Sequence, residues 1–108
     1  MINLEIFKGK KAFISGATGG IGKAVAVTLA QCGCDLFLTE TDQNELEKLS
    51  TELSISNVKI YYSSGNLINK PDVYNIINET KNCLGEIDIL INSAGIFPNI
   101  SLSEIQDD

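Results

Sequence analysis

Phe13-Ile-Ser-Gly-Ala-Thr-Gly-Gly-Ile-Gly-Lys23 is the stretch that decides the reading of this 108-residue chain. A short apolar run, Ala12-Phe13-Ile14, breaks into Gly16, Gly19, Gly20 and Gly22, and an amphipathic stretch follows. This is the pattern of a buried strand that turns into a helix over a bound pyrophosphate. Gly16 can turn the chain sharply off the strand. Gly20 leaves no Cβ between backbone and ligand, and Gly22 lets the helix pack closely on the sheet. The helix N-terminus then offers free N–H groups and a partial positive charge to an anion. Thr18 could add a hydroxyl donor.

Two other uses of such a turn compete with this one. A glycine-rich strand–helix turn can be purely structural. A nucleoside-triphosphate P-loop would instead read Gly-x-x-x-x-Gly-Lys-Ser/Thr. With Gly22-Lys23 as its end, that motif needs glycine at 17 and a hydroxyl at 24, where the sequence has Ala17 and Ala24. The spacing and the magnesium-ligating hydroxyl both fail.

Outward from the turn, short apolar runs alternate with longer amphipathic ones. Strands are expected at Ala12–Ile14, Leu36–Leu38, Val58–Tyr62 and Ile87–Ile91. Between them, Ile21, Val25 and Leu29 share one helical face, as do Leu46, Leu49 and Leu53. Val73, Ile76, Ile77, Thr80 and Leu84 form the cleanest stripe. Gly33 and Gly85 sit where helix C-terminal caps belong, and Asn69-Lys70-Pro71-Asp72 opens the third helix with a capping side chain and an early proline. Strand and helix alternate throughout. Right-handed crossovers then give an α/β fold, a Rossmann-type doubly wound parallel sheet covered by helices on both faces. One domain, or part of one, accounts for the whole chain.

Composition narrows the partners. The hydrophobic fraction is 44% and the charged fraction 20%, ordinary for a packed core. A net charge of -6 argues against nucleic acid or an anionic membrane as a partner. All eight basic residues are Lys, so the residue best suited to bidentate phosphate recognition is missing. No apolar run approaches the roughly 18 residues that span a bilayer, and the first residues do not read as a signal peptide. The expected location is the cytoplasm. Cys32, Cys34 and Cys83 are expected to be small buried residues. With no His in the chain, no metal site is expected.

A ribose-binding acid is expected about 20 residues beyond the glycines in a dinucleotide fold. Glu40 lies 18 beyond Gly22, in Leu38-Thr-Glu-Thr41. Its carboxylate could accept both adenosine ribose hydroxyls and would repel a 2′-phosphate. An exposed acid at a strand end is the plainer alternative. Glu40 and the absence of Arg favour NAD over NADP, with NADP still possible.

Ser15-Gly-Ala-Thr-Gly-Gly-Ile-Gly22 and Asp88-Ile-Leu-Ile-Asn-Ser-Ala-Gly95 together resemble the short-chain dehydrogenase/reductase family, in its branch with a TGxxxGxG turn. Within it the likeness is to 3-oxoacyl-carrier-protein reductase and generic alcohol dehydrogenase types. Ser15 stands where Thr is usual, and the family's NNAG reads Asn92-Ser93-Ala94-Gly95. The resemblance implies that Gly16, Thr18, Gly19, Gly20, Ile21 and Gly22 form the pyrophosphate turn. It implies that Asn66 and Leu67 hold the adenine, with Asn where Asp is common. It also implies that Asn92, Ala94 and Gly95 approach the two riboses. NADP-preferring members often carry a basic residue where this chain has Gly19.

The chemistry implied is hydride transfer between NAD(P) and a small carbonyl or alcohol, by a whole protein that is a homo-oligomer. The family's proton donor is a Tyr in Tyr-x-x-x-Lys, assisted by Ser and Asn. Tyr61 and Tyr62 come too early, and Tyr74 has Asn78 four residues on. No catalytic residue is therefore assigned, and the 108 residues are expected to be a cofactor-binding front half, inactive alone. Such a piece would leave the edge of its fourth strand open to aggregation. A non-catalytic NAD(P)-binding regulatory module is the alternative. A downstream Ser followed by Tyr-x-x-x-Lys would separate the two.

Overall fold

A computed structural model of the chain describes residues 4–93. After a short 3-10 turn at Leu4–Phe7 come β1 (Lys11–Ser15), α1 (Gly20–Gln31), β2 (Asp35–Glu40) and α2 (Gln43–Leu53). A second 3-10 turn (Ser54–Ser56), β3 (Ile60–Ser64), α3 (Lys70–Leu84) and β4 (Ile89–Asn92) follow. The four strands form one parallel sheet in the order β3-β2-β1-β4. This is the doubly wound α/β architecture. The chain steps outward from β1 to β2 to β3, then crosses back to place β4 on the other side of β1.

Side-chain alternation along the strands builds a core on each face. Ala12, Ile14, Leu36 and Leu38 point to the side covered by α1 and α2, where Ala26, Leu29, Ala30, Leu46, Leu49 and Leu53 meet them. Phe13 and Phe37 point to the other side and pack with Val73, Ile76, Ile77 and Leu84 of α3. These two phenylalanines are register partners, and their rings stack 6.1 Å apart, 11° from parallel.

The stripes expected of α2 and α3 are the buried residues observed there. The face expected of α1 is met only in part, at Leu29. Ile21 is 75% exposed and Val25 only partly buried, while Gly22, Ala26, Leu29 and Ala30 face the sheet. The helix lies so close to the sheet that, apart from Leu29, small side chains mark its inner face. Gly33 ends α1 at φ +89°, with its N–H donating to Ala30 O and that of Cys34 to Leu29 O. This is the paired bonding of a left-handed C-terminal cap.

Strand ends also differ from expectation. β3 starts two residues later than Val58 and runs to Ser64, because pairing with Thr39 and Glu40 carries the ladder through Ser63 and Ser64. β4 starts at Ile89, and just before it Asp88 accepts the Lys11 N–H on its carboxylate at 2.9 Å and donates its own N–H to Lys11 O at 2.8 Å. Of the cysteines, only Cys34 is buried; Cys32 is half-buried and Cys83 exposed. Cys34 donates to Phe7 O at 3.2 Å, and burial, reinforced by Cys32, Asp35 and Asp88, pushes its thiol pKa up.

Candidate functional site

The C-terminal ends of four parallel strands share one edge of the sheet, and those residues singled out from the sequence that the structure describes gather along it. Sheet order reverses between β1 and β4. Open α/β sheets bind ligands at such a reversal, where two loops diverge and leave a crevice. The glycine turn follows β1 and Ser93 follows β4 at this reversal.

Gly16 is buried at φ +64°, a conformation that costs other residues about 1 kcal/mol or more. The turn is held by Gly19 N–H donating to Gly16 O at 3.1 Å and Ala17 N–H donating to Thr39 O at 3.2 Å. Gly19 is the N-cap residue of α1 in extended conformation, and no side chain caps this end. The first helical backbone bond runs from Lys23 N–H to Gly19 O at 2.9 Å. The donors of the first turn therefore face outward without a protein side chain to take them. A Cβ built on Gly20 meets nothing within 4 Å, so the space in front of this end is open. That cradle fits an anionic pyrophosphate. Ile21 projects from the same end into solvent.

Gly22 has the opposite role. A Cβ there would lie 2.1 Å from the Gly16 carbonyl oxygen and 2.6 Å from Ser93 Oγ. Lys23, the residue a P-loop would aim at phosphate, pairs instead with Glu52 of α2 at 3.3 Å.

Glu40 ends β2 beside the turn, half-buried. Its Oε2 accepts from Thr18 Oγ1 at 3.2 Å, and its Oε1 from the Thr41 N–H at 3.1 Å. The Glu40 carbonyl accepts from Gly65 N–H at 3.0 Å, which ties the strand end to the loop after β3. In that loop Asn66 is exposed, and its Oδ1 accepts the Ile68 N–H at 3.0 Å. The Leu67 side chain is buried in the core under α3.

On the far side, Ser15 Oγ donates to Asn92 Oδ1 at 2.8 Å. Ser93 Oγ donates to Ser15 O at 2.7 Å and Gly16 O at 3.1 Å. Thus the two serines that depart from the family pattern cross-link β4 to the glycine turn. In the sequence Ser93 stands out only as a departure from the family's NNAG. No local pattern marks it, because its partners lie 77 and 78 residues away. Ala94 and Gly95 lie outside the described residues. Among the described residues, no group of three or more His, Cys, Asp or Glu is placed to hold a metal ion, and no helix is long and apolar enough to cross a membrane.

The comparisons with known proteins agree with this geometry. The chain is 32% identical over 96 residues to an uncharacterized oxidoreductase of Staphylococcus saprophyticus, covering 88% of this chain and 41% of that protein. It is 31% identical over 102 residues to the 3-oxoacyl-acyl-carrier-protein reductase of Escherichia coli, covering 94% of this chain and 41% of the relative. The chain thus spans less than half the length of these relatives. Among solved structures, it superposes on NAD+-bound xylitol dehydrogenase with a TM-score of 0.75 at 27% identity, over 78% of this chain and 32% of that one. For a hydroxysteroid dehydrogenase from Escherichia coli the TM-score is 0.79 at 25% identity, over 86% of this chain and 39% of the other. The family model for short chain dehydrogenases matches residues 10–108. With a strand–glycine turn–helix at the sheet reversal and the matching β4 end across from it, the chain belongs to the short-chain dehydrogenase family.

Proposed function

We propose that these residues are the cofactor-binding part of an oxidoreductase that transfers a hydride between a nicotinamide dinucleotide and a carbonyl or alcohol. The observation that carries this reading is the open, uncapped N-terminus of α1 beside the Glu40 carboxylate. The first supplies donors and a positive dipole end for a pyrophosphate. The second supplies acceptors for ribose hydroxyls.

In this reading Gly16, Gly19, Gly20 and Ile21 line the pyrophosphate, and Asn66 with the Leu67 backbone meets the adenine. Asn92, Ala94 and Gly95 reach the riboses. The nicotinamide, when bound, supplies the hydride chemistry. No Tyr-x-x-x-Lys occurs among these 108 residues, so no acid–base group is assigned among them. The relatives named above act on unlike molecules, so the substrate class is set no more narrowly than carbonyl or alcohol.

The cofactor we propose is NAD. A 2′-phosphate would come against Glu40, a carboxylate with no Arg anywhere in the chain to offset it. Comparative titration of the full protein with NADH and NADPH tests both parts. Tighter binding of NADH supports the assignment. Tighter NADPH binding overturns the role given to Glu40, and binding of neither overturns the cofactor site.

A further inference from the structure

A threonine hydroxyl has one proton to donate. In this structure Thr18 gives it to Glu40, with Oγ1 to Oε2 at 3.2 Å. A free glutamate side chain at a strand end samples many rotamers. Glu40 has both carboxylate oxygens engaged, Oε1 by the Thr41 N–H and Oε2 by Thr18. Its backbone is held from two sides. Ala17 N–H donates to Thr39 O on the glycine-turn side, and Gly65 N–H donates to Glu40 O on the β3 side. Each carboxylate oxygen accepts one bond here and keeps a lone pair for a further donor. The result is a fixed carboxylate with spare acceptor capacity at the edge of the cofactor crevice.

We propose that Thr18 is a positioning residue for cofactor choice. Its hydroxyl orients the Glu40 carboxylate toward the adenosine ribose, and so sets the preference for a free 2′-hydroxyl over a 2′-phosphate. This rests on the assignment of Glu40 to the ribose and deepens it. It also moves the Thr18 side chain from the pyrophosphate, which NAD and NADP share, to the ribose, where they differ. The two placements separate cleanly. A hydroxyl serving the pyrophosphate affects both cofactors alike, whereas one serving Glu40 affects their ratio. Thr18 is β-branched, so few rotamers compete with the one that reaches Glu40.

The test is titration with NADH and NADPH of the full protein carrying Thr18→Val, Thr18→Ser, Glu40→Ala, or Thr18→Val with Glu40→Ala. Thr18→Val keeps the shape and removes the hydroxyl. It is expected to weaken NADH binding by about three- to tenfold, the range for one hydrogen bond, with NADPH binding changed less than about twofold. Thr18→Ser is expected to restore the ratio, and Thr18→Val is expected to leave the ratio unmoved once Glu40 is Ala. A general loss of stability would not produce that pattern. Equal weakening of both cofactors by Thr18→Val, or no change in either, overturns the proposal. If Glu40→Ala shifts the ratio while Thr18→Val does not, only the role of Thr18 falls. If Glu40→Ala leaves the ratio intact, the assignment of Glu40 fails and takes the proposal with it.

Discussion

The N-terminus of α1 and those of α2 and α3 meet the same requirement in opposite ways. Every helix begins with N–H groups that have no partner inside it. At α2 the Asp42 carboxylate takes the N–H groups of Asn44 and Glu45, at 3.0 and 3.2 Å, and Glu45 adds an acid to the first turn. At α3 the Asn69 side chain takes the Asp72 N–H at 3.2 Å, Pro71 removes another donor, and Asp72 is the acid. At α1 there is no capping side chain and no acid in the first turn, only glycine at the cap. A capping side chain is worth roughly 0.5–2 kcal/mol over alanine. Two helix ends are completed by the chain itself. The third has no such cap, and it is the one at the sheet reversal.

Substitutions can break or sharpen this contrast. The largest effect is expected of Gly22→Ala. Its Cβ would press on a backbone carbonyl, the Gly16 oxygen at 2.1 Å. The expected loss is about 3 kcal/mol or more in urea denaturation. A stability equal to the parent's would mean that α1 is not packed on the turn as described.

Gly19→Asp comes next and carries the comparison most directly. Gly19 is extended, at φ -73° and ψ 171°, so an aspartate fits without backbone strain. It would cap α1 as Asp42 caps α2. Thermal stability is expected to hold or rise by a few tenths of a kcal/mol, while dinucleotide affinity falls by about tenfold or more through repulsion of the pyrophosphate. Undiminished binding would show that this helix end is not the anion site.

Asp42→Ala is the mirror experiment. Chemical denaturation should register a loss of about 1 kcal/mol, with dinucleotide affinity unchanged. Glu52→Gln should do least. It removes the 3.3 Å pair with Lys23, whose side chains are 48% and 54% exposed, and a change beyond about 0.5 kcal/mol would be unexpected.

Helices α2 and α3 were legible from sequence because large apolar side chains, with Thr80 among them on α3, mark their buried faces. Leu46, Leu49 and Leu53, and Val73 through Leu84, are large enough to show a period of 3.6. The inner face of α1 was read correctly at Leu29 but misread elsewhere, for a physical reason. Close approach to the sheet selects Gly22, Ala26 and Ala30, and their small side chains carry little hydropathy signal. Ile21 carries a strong one and points outward. The strand ends at Ser63, Ser64 and Asn92 are set by pairing with a neighbour, so polar residues there gave no local sign.

Within the site, the glycines were legible because backbone shape dictates them. The bonds from Thr18 to Glu40 and from Ser93 to the turn were not. They join residues 22 and 77–78 positions apart, and no local pattern records which hydroxyl meets which acceptor.

Those last separations have a kinetic side. The glycine turn is written in consecutive residues, but the carbonyls of Ser15 and Gly16 take a hydroxyl from Ser93. Contacts between segments so far apart form only after a large loop has closed, and loop closure and contact order govern how fast such topologies assemble. The β1-α1-β2-α2-β3 portion can condense step by step through neighbours in sequence. The crevice is finished only when β4 docks on β1. A chain interrupted before that point would hold every glycine of the motif and still lack one wall of its site.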